Sequence, residues 1–464
     1  MHYHRIFITG GRRFSGIPFF ISWFGVLLGL LGTFRIKANA ETEALQPPAG
    51  MASIPSGDYT PLYVKDSTKR HVGEFHLDVK AVSNAEFLQF VATHPKWRRS
   101  QVPRAFADSG YLKHWAGDLD LGPDAENLQD SPVTSVSWFA ARAFLQSRGK
   151  RLPREDEWEY AGRASKTKAD ASNDPDFTRQ LLDWYSRPGA SIPKPAAEAN
   201  VYGVRGLHGI IWEWVDDFNN AMDTGESRSG GDLERDLFCG AGALETPDPT
   251  RYAAFMRFAF RSSLRASYTT GSLGFRGAWS PGTVAAAVPI REAFPAAPLP
   301  PESIYHIASI WRNQRNETIP LGSLGSHIQV LCMGFTSCAY ACPRITADMR
   351  AIERALDPEL RRSVQFTFVS IDPDRDTPAA LAAHAKESHL EHWNFLTSTP
   401  GSVLELAAML GFKYQKVEQD FAHSNTIYII DRDGIIANRQ ESLGGDSAAP
   451  LAAIRKSAGS SASR

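Results

Sequence analysis

Cysteine and net charge are both scarce in this chain. Four cysteines in 464 residues are too few for a disulfide-stapled scaffold. Lysine and arginine number 50 against 51 aspartates and glutamates, so the formal net charge is −1. This balance gives no basic surface for nucleic acid and no strong attraction to anionic surfaces. Two cysteines that lie close together in such a chain therefore indicate a specific function.

The N-terminus has the pattern of an export signal. Histidines and arginines precede an uncharged apolar run over 17–34, and the small-residue pattern Ala38-Asn39-Ala40 follows. The pattern predicts a secretory signal peptide over 1–40. An uncleaved membrane anchor stays open as the alternative, because about 18 apolar residues can just span a bilayer. Both interpretations predict a periplasmic or otherwise exported protein in an oxidising compartment, either free or anchored to the inner membrane.

The length and the changes in composition predict at least two domains. Residues 45–280 are rich in tryptophan, glycine and short aromatic clusters, whereas 281–302 is a Pro/Ala-rich stretch that indicates a semi-stiff linker. From 303 to 446 strands alternate with helices and a terminal hairpin follows, which is the thioredoxin-like layout. The Ala/Ser-rich residues 447–464 are predicted to be a flexible tail.

Cys338 and Cys342 lie at a predicted strand-to-helix junction. The apolar run at 330–335 has the character of a buried parallel strand, and apolar residues recur at helical spacing after the pair. Pro343 suits a first helical turn, where its missing N–H costs nothing. Positions i and i+4 of a helix share a face, so both sulfurs can point at one spot. Helix N-terminal amides favour the thiolate there, which predicts a soft-ligand site.

The other predicted features of the second domain are local. Asp376 or Thr377 is predicted to cap a helix that starts at Pro378. The turn at 431–434 is predicted to join a hairpin. Cys332, inside the predicted strand, is expected to be packed and inert. Asp372 and Asp376 are also candidates to support the cysteine loop, although turn and cap chemistry is their default role.

Several strings in the first domain resemble the formylglycine-generating enzyme (sulfatase-modifying factor) family. They occur in family order at 82–87 (VSNAEF), 132–139 (PVTSVSWF), 149–160 (GKRLPREDEWEY), 212–214 (WEW) and 272–276 (SLGFR). The resemblance implies a compact α/β fold of low regular secondary structure, related to C-type lectins. It also implies oxidation of a substrate cysteine to formylglycine at a Cu(I) ion held by two cysteines.

Those two cysteines are missing here. Counted back from the 272–276 string, their expected positions fall near Asp248 and Ala253, while Arg257 and Arg261 fall on the family's arginines. Without a metal-bound thiolate pair no centre activates oxygen, so we expect a catalytically silent binding or scaffold module. The family's calcium site is weakened as well, because Ile210 replaces its ligand asparagine. Cys239 alone is expected to be a small buried hydrophobe.

The second domain resembles the SCO/SenC family of copper-delivery proteins across its whole length. The resemblance is carried by the Cys338/Cys342 pair with Pro343, by the string at 368–378 (FVSIDPDRDTP), by 427–431 (IYIID) and by His423. It implies that Cys338, Cys342 and His423 bind one copper ion, Cu(I) or Cu(II). Two thiolates and an imidazole suit copper, whereas a structural zinc site would want a fourth protein ligand. The family's acidic residue inside the pair is absent.

Two functions remain open on the sequence. One is a metallochaperone whose first domain docks an exported copper enzyme while the second hands over copper on a tether. The resemblance of the first domain to the accessory protein of copper nitrite reductase favours that enzyme as the client, and a cytochrome oxidase copper centre is the alternative. The other function is a thiol–disulfide oxidoreductase, since Cα atoms at i and i+4 lie about 6 Å apart, within disulfide reach. A thiol reductant is an expected partner of both, because copper binding needs the reduced pair.

Overall fold

The computed structural model describes residues 46–61, 69–185, 193–194, 198–219, 249–281, 298–417 and 420–460. The predicted leader at 1–40, Cys239, Asp248 and most of the predicted linker lie outside these residues. Within the described ranges, no helix combines the length and the apolar character that crossing a membrane requires.

The first domain is built from short strands and helices between long aromatic loops. Its strands are β1 (Met51–Ile54), β2 (Gly57–Tyr59), β3 (Arg70–Val72), β4 (Phe75–Asp78), β5 (Trp212–Glu213), β6 (Leu273–Gly274) and β7 (Ala278–Trp279). Its helices are α1 (Asn84–Thr93), α2 (Ala125–Leu128), α3 (Trp138–Ser147), α4 (Glu155–Gly162), α5 (Pro175–Tyr185) and α6 (Pro249–Ser263). Strands β1, β4 and β7 form an antiparallel sheet, while β2 pairs with β3 and β5 with β6. The low content of regular structure agrees with the expectation.

The family strings of the first domain hold its fold together. Ser83 and Glu86 form a capping box that starts α1. Glu213 and Arg276, from two different strings, form an ion pair of 2.8 Å with both side chains fully buried. Gly274 approaches a neighbouring backbone so closely that a Cβ there would lie 2.3 Å from the carbonyl oxygen of Val133. Residues of these strings therefore stabilise the fold of the first domain.

The second domain contains a seven-stranded mixed sheet in the order β16-β15-β10-β11-β12-β8-β9. The strands are β8 (Ile310–Asn313), β9 (Thr318–Pro320), β10 (Ile328–Gly334), β11 (Val364–Ser370), β12 (Asn394–Thr397), β15 (Ile427–Ile430) and β16 (Ile436–Gln440). A separate hairpin consists of β13 (Tyr414–Val417) and β14 (Asp420–His423). The helices are α7 (Ala341–Arg354), α8 (Pro358–Ser363), α9 (Pro378–Glu387), α10 (Pro400–Leu410) and α11 (Ala448–Ser460).

The strand pairing is thioredoxin-like, as expected. Strand β10 pairs parallel with β11 and antiparallel with β15, and every residue of β10 is buried. Thr377, rather than Asp376, caps α9 by accepting from the amide of Ala380. The turn at 431–434 joins β15 to β16 as a hairpin. The strand pairing, the helix cap and the hairpin thus confirm the predicted layout. The carboxyl ends of β10 and β11 lie side by side.

The prediction of a flexible tail from 447 is wrong for the described part. Residues Ala448–Ser460 form helix α11, and Ile454 in it is fully buried. Leu451 packs against the same apolar cluster as Ile454. Tertiary packing of a few aliphatic side chains therefore stabilises a segment whose composition alone indicates disorder.

The two domains share one cluster of buried apolar side chains. It includes Phe139 and Phe218 of the first domain with Leu406 and Phe412 of the second. The predicted linker contributes to this contact at its described end, where the carbonyl of Pro301 accepts from the amide of Ala105 at 2.8 Å. The described end of the predicted semi-stiff linker therefore contacts the first domain, which differs from the expectation of a spacer outside either core.

Candidate metal centre

The cysteine loop begins where β10 ends. Gly334 is the last residue of β10, and α7 starts at Ala341, so Cys338 precedes the helix and Cys342 lies in its first turn. The amide of Cys342 donates to the sulfur of Cys338 at 3.4 Å. The amide of Cys338 in turn donates to the carbonyl of Phe335 at 3.2 Å. The predicted stabilisation of a thiolate by a helix N-terminal amide is thus present at Cys338.

Asp376 fixes this loop to the end of β11. Its carboxylate accepts from the amide of Thr336 at 3.1 Å and also from the Thr336 hydroxyl. The hydroxyl of Ser370, the last residue of β11, donates to it at 2.6 Å. Asp376 is 1% exposed, so removing its carboxylate would leave the buried hydroxyl of Ser370 without this acceptor. The aspartate therefore supports the loop, which the sequence allowed only as a minor alternative to a helix cap.

Gly334 leaves room for the second sulfur. A Cβ on this residue would lie 2.7 Å from Cys342 Sγ and 3.2 Å from the ring of Phe368. A real Cβ does not approach a sulfur that closely, so either the sulfur or the strand would have to move. The position of Cys342 therefore depends on the absence of a side chain at Gly334.

His423 completes the cluster from the end of β14. Its Nε2 lies 3.9 Å from Cys342 Sγ, and the ligand atoms of Cys338, Cys342 and His423 all lie within 4.8 Å of one another. Its Nδ1 lies 2.9 Å from the carbonyl oxygen of Ser424. Because a carbonyl oxygen can only accept, Nδ1 carries a proton in this contact, and Nε2 is the ring nitrogen that faces the sulfurs. The structure thus brings together all three predicted ligands.

The pKa values of the two cysteines are shifted in opposite directions. Hydrogen bonds to the Cys338 sulfur, first from the Cys342 thiol and then from His423 and backbone amides, lower the pKa of Cys338 to about 3. The same interaction with Cys338, together with burial, raises the pKa of Cys342 well above its usual value. One proton is therefore shared within the pair, with the negative charge on the more exposed sulfur. Burial raises the pKa of Cys332 to about 12, which agrees with its expected inert role.

The corresponding region of the first domain holds charges instead of thiols. Arg257 binds Glu159 at 2.6 Å, and Arg261 lies 3.1 Å from Glu159 and 3.5 Å from Glu155. Ala253, near an expected cysteine position, is buried on the same helix. Among the described residues, the cysteine–histidine cluster is the one group of three or more possible metal ligands. The family arginines are thus retained in a buried ion network.

Family models match both parts of the chain. The model for the sulfatase-modifying factor enzyme 1-like domain matches residues 37–281, more than half of the sequence. The chain belongs to that family. The SCO1/SenC model matches residues 311–458, so the three clustered ligands lie in an SCO1/SenC domain. Both resemblances recognised in the sequence are thereby confirmed.

Curated relatives divide between the same two domains. The formylglycine-generating enzyme of Streptomyces coelicolor is 28% identical over 245 residues, covering 44% of this chain and 77% of the relative. The SCO1 homologue of Bacillus subtilis is 29% identical over 130 residues, covering 27% of this chain and 67% of the relative. A Stutzerimonas stutzeri protein described as a candidate copper-binding protein is 27% identical over 148 residues, covering 30% of this chain and 67% of its own length.

Most residues that hold the predicted ligands in place have no signature in the sequence. Gly334 and Thr336 carry no metal-binding group, and Phe412 resembles any other core residue. The sequence contained a weak signal that Asp376 supports the cysteine loop. Asp376 follows the buried strand β11, and the ends of parallel strands such as β10 and β11 lie at the same edge of a sheet. Its partner Thr336 became apparent only from the packing of the loop.

Proposed function

We propose that this protein is an exported copper metallochaperone whose cargo binds to Cys338, Cys342 and His423. The observation that carries the proposal is the convergence of these three ligand atoms within 4.8 Å. Sulfur and imidazole donors suit Cu(I), and a set of three leaves copper open to an incoming ligand from a client. No fourth histidine, cysteine or carboxylate joins the cluster within the described ranges, which favours copper over a structural zinc ion.

Copper titration of the exported fragment under reducing conditions tests the binding step. We expect one Cu(I) per chain, with affinity lost in Cys338→Ala and Cys342→Ala and reduced in His423→Ala. Cys332→Ala is the matched control, because this cysteine is buried in β10 outside the cluster. Stoichiometric binding that survives replacement of both cysteines of the pair would contradict the proposal.

An exported copper reductase of denitrification is the client that we propose for this cargo. The support is the resemblance of the first domain to the accessory protein of copper nitrite reductase, together with the absence of a cysteine pair at its family positions. The first domain would then dock the client rather than oxidise a substrate cysteine. A cytochrome oxidase copper centre, the client class of the SCO1/SenC family, is the second candidate.

Transfer from the copper-loaded full chain identifies the client. The acceptors are purified metal-free nitrite reductase and a metal-free cytochrome oxidase copper domain, each with a chelator present that captures released copper. We expect faster loading of the nitrite reductase, followed by the electron paramagnetic resonance signal of its copper. Equal loading from this protein and from the copper–chelator complex would reject a delivery role toward either acceptor.

A thiol–disulfide oxidoreductase is the alternative, and the lowered pKa of Cys338 favours it. The Cys338 thiolate would attack a client disulfide, and Cys342 would then release the client as a dithiol. Two electrons pass to the client, the pair becomes a disulfide, and a thiol reductant restores it. This function does not require His423. Full dithiol activity in His423→Ala, combined with unchanged copper affinity, would favour it over the chaperone.

A further inference from the structure

The histidine ligand is held by a hairpin that lies against the first domain. His423 pairs with Tyr414 across β13 and β14. The ring of Phe412, two residues before Tyr414, stacks on the His423 ring with centroids 5.9 Å apart and planes inclined by 22°. Phe412 is fully buried in the apolar cluster that both domains share. The position of the imidazole therefore depends on where Phe412 is held.

Asn219 of the first domain holds Phe412 directly. Its Nδ2 donates to the carbonyl oxygen of Phe412 at 2.9 Å, and Asn219 is 5% exposed. The neighbouring Phe218 belongs to the shared cluster. A buried hydrogen bond between domains thus fixes the backbone immediately before the hairpin, where water cannot replace the asparagine.

Further hydrogen bonds connect the residue after Phe412 to His423. The amide of Ser424 donates to the carbonyl of Lys413 at 2.8 Å, and the amide of Lys413 donates to the Ser424 hydroxyl at 3.1 Å. The carbonyl of Ser424 is the group that orients His423 through Nδ1. The path from Asn219 to the imidazole therefore consists of successive short hydrogen bonds and one ring contact.

Other contacts of the interface involve α10. The guanidinium of Arg142 donates to the carbonyl of Gly401 at 3.3 Å. Burial raises the pKa of Glu405 on α10, and the nearby charges of Arg142 and Lys96 offset only part of this shift. Lys96 also lies 4.6 Å from the centre of the Phe106 ring. Lys96 therefore takes part in the same interface next to Glu405 of α10, which makes it a suitable control position.

We propose that Asn219 is a positioning residue for His423, so that the contact between the two domains sets the copper affinity of the centre. The proposal rests on the proposed copper function of Cys338, Cys342 and His423. A client that loosens the contact at Asn219 would release the imidazole and leave copper on the two sulfurs. Copper held by two ligands is open to capture by the client, so docking and release would be coupled through His423.

Copper affinity of the full exported chain, measured by competition with a chromophoric Cu(I) chelator, tests this coupling. We expect Asn219→Ala to weaken binding by about three- to tenfold, the effect of one lost buried hydrogen bond. Lys96→Ala should leave the affinity unchanged. In metal-free protein, Asn219→Ala should also speed amide hydrogen exchange in residues 412–417 and 420–424, whereas Lys96→Ala should not.

A double-mutant cycle separates positioning from general destabilisation. In a His423→Ala background, Asn219→Ala should cause no further loss of copper affinity, because the group that it positions is gone. An equal loss in both backgrounds, or wild-type affinity and hydrogen exchange in Asn219→Ala, would overturn the proposal. Failure of the wild-type chain to bind copper would instead reject the proposed function. The exchange measurement would still show whether Asn219 holds the hairpin.

Discussion

Asp376 and the amide of Thr336, 40 positions apart in sequence, are joined by a hydrogen bond of 3.1 Å at the base of the cysteine loop. The bond connects the segment after β11 to the segment after β10. Since parallel strands place their carboxyl ends at one edge of a sheet, both segments reach the same side of the metal centre. The loop that carries Cys338 is thereby attached to the core of the domain.

Replacement of Asp376 by alanine should loosen this loop. The change removes an acceptor from the half-buried Thr336 and the buried Ser370, and we expect a loss of about 2 to 4 kcal/mol in the free energy of unfolding. Copper affinity should fall as well. Urea denaturation of the metal-free chain measures the first effect. Asp374→Ala is the control, because Asp374 is exposed. Equal stability of the two variants would show that Asp376 does not support the loop.

Addition of a single methyl group at Gly334 should disturb the second sulfur. Gly334→Ala places a Cβ 2.7 Å from Cys342 Sγ, and overpacking of this kind costs about 1 to 3 kcal/mol. We expect both lower stability and weaker copper binding. Gly322→Ala is the matched control, since its Cβ would find its nearest neighbour at 3.9 Å, an ordinary contact. Normal copper affinity in Gly334→Ala would mean that Cys342 does not need its observed position.

Alkylation rates should distinguish the two cysteines of the pair. The pKa of Cys338 is lowered to about 3, so its thiolate is already formed at pH 5, and its rate should stay nearly constant from pH 5 to pH 8. The raised pKa of Cys342 keeps its thiol protonated over the same range, so it should react slowly. Mass spectrometry of iodoacetamide-treated metal-free protein measures both rates. A rate at Cys338 that rises about tenfold per pH unit would indicate an ordinary thiol.

The first domain should not form formylglycine. Its family positions for copper-binding cysteines fall near Asp248 and Ala253, and neither residue is a soft ligand. Incubation of the copper-treated chain with a sulfatase-type cysteine peptide, followed by mass spectrometry, tests this directly. The formylglycine-generating enzyme of Streptomyces coelicolor serves as the active control. Conversion of the peptide by this chain would contradict a silent docking module.

Local patterns were sufficient to predict the layout of the second domain and the place of the cysteine pair at a strand-to-helix junction. The apolar run before Cys338, the cap at Thr377 and the turn at 431–434 depend on neighbouring residues, so the sequence alone indicated them. The third predicted ligand, His423, lies 81 positions after Cys342. A lone histidine has no local signature of metal binding, and the family resemblance supplied this assignment.

Contacts between distant segments could not be predicted in the same way. Leu406 and Phe412 resemble ordinary core residues of one domain, although they belong to a cluster that both domains share. Helix α11 has few large apolar residues, and it is stabilised because Ile454 is buried against the rest of the domain. Asn219 lies in a loop, and its partner Phe412 follows 193 positions later. Such pairings depend on the folded arrangement of both domains.

X-ray absorption at the copper edge tests the central claim most directly. In the Cu(I)-loaded chain, the three converging ligand atoms should appear as two sulfur neighbours and one nitrogen neighbour. His423→Ala should lose the nitrogen and keep both sulfurs. A coordination shell without sulfur, or one that His423→Ala leaves unchanged, would contradict a copper centre formed by Cys338, Cys342 and His423.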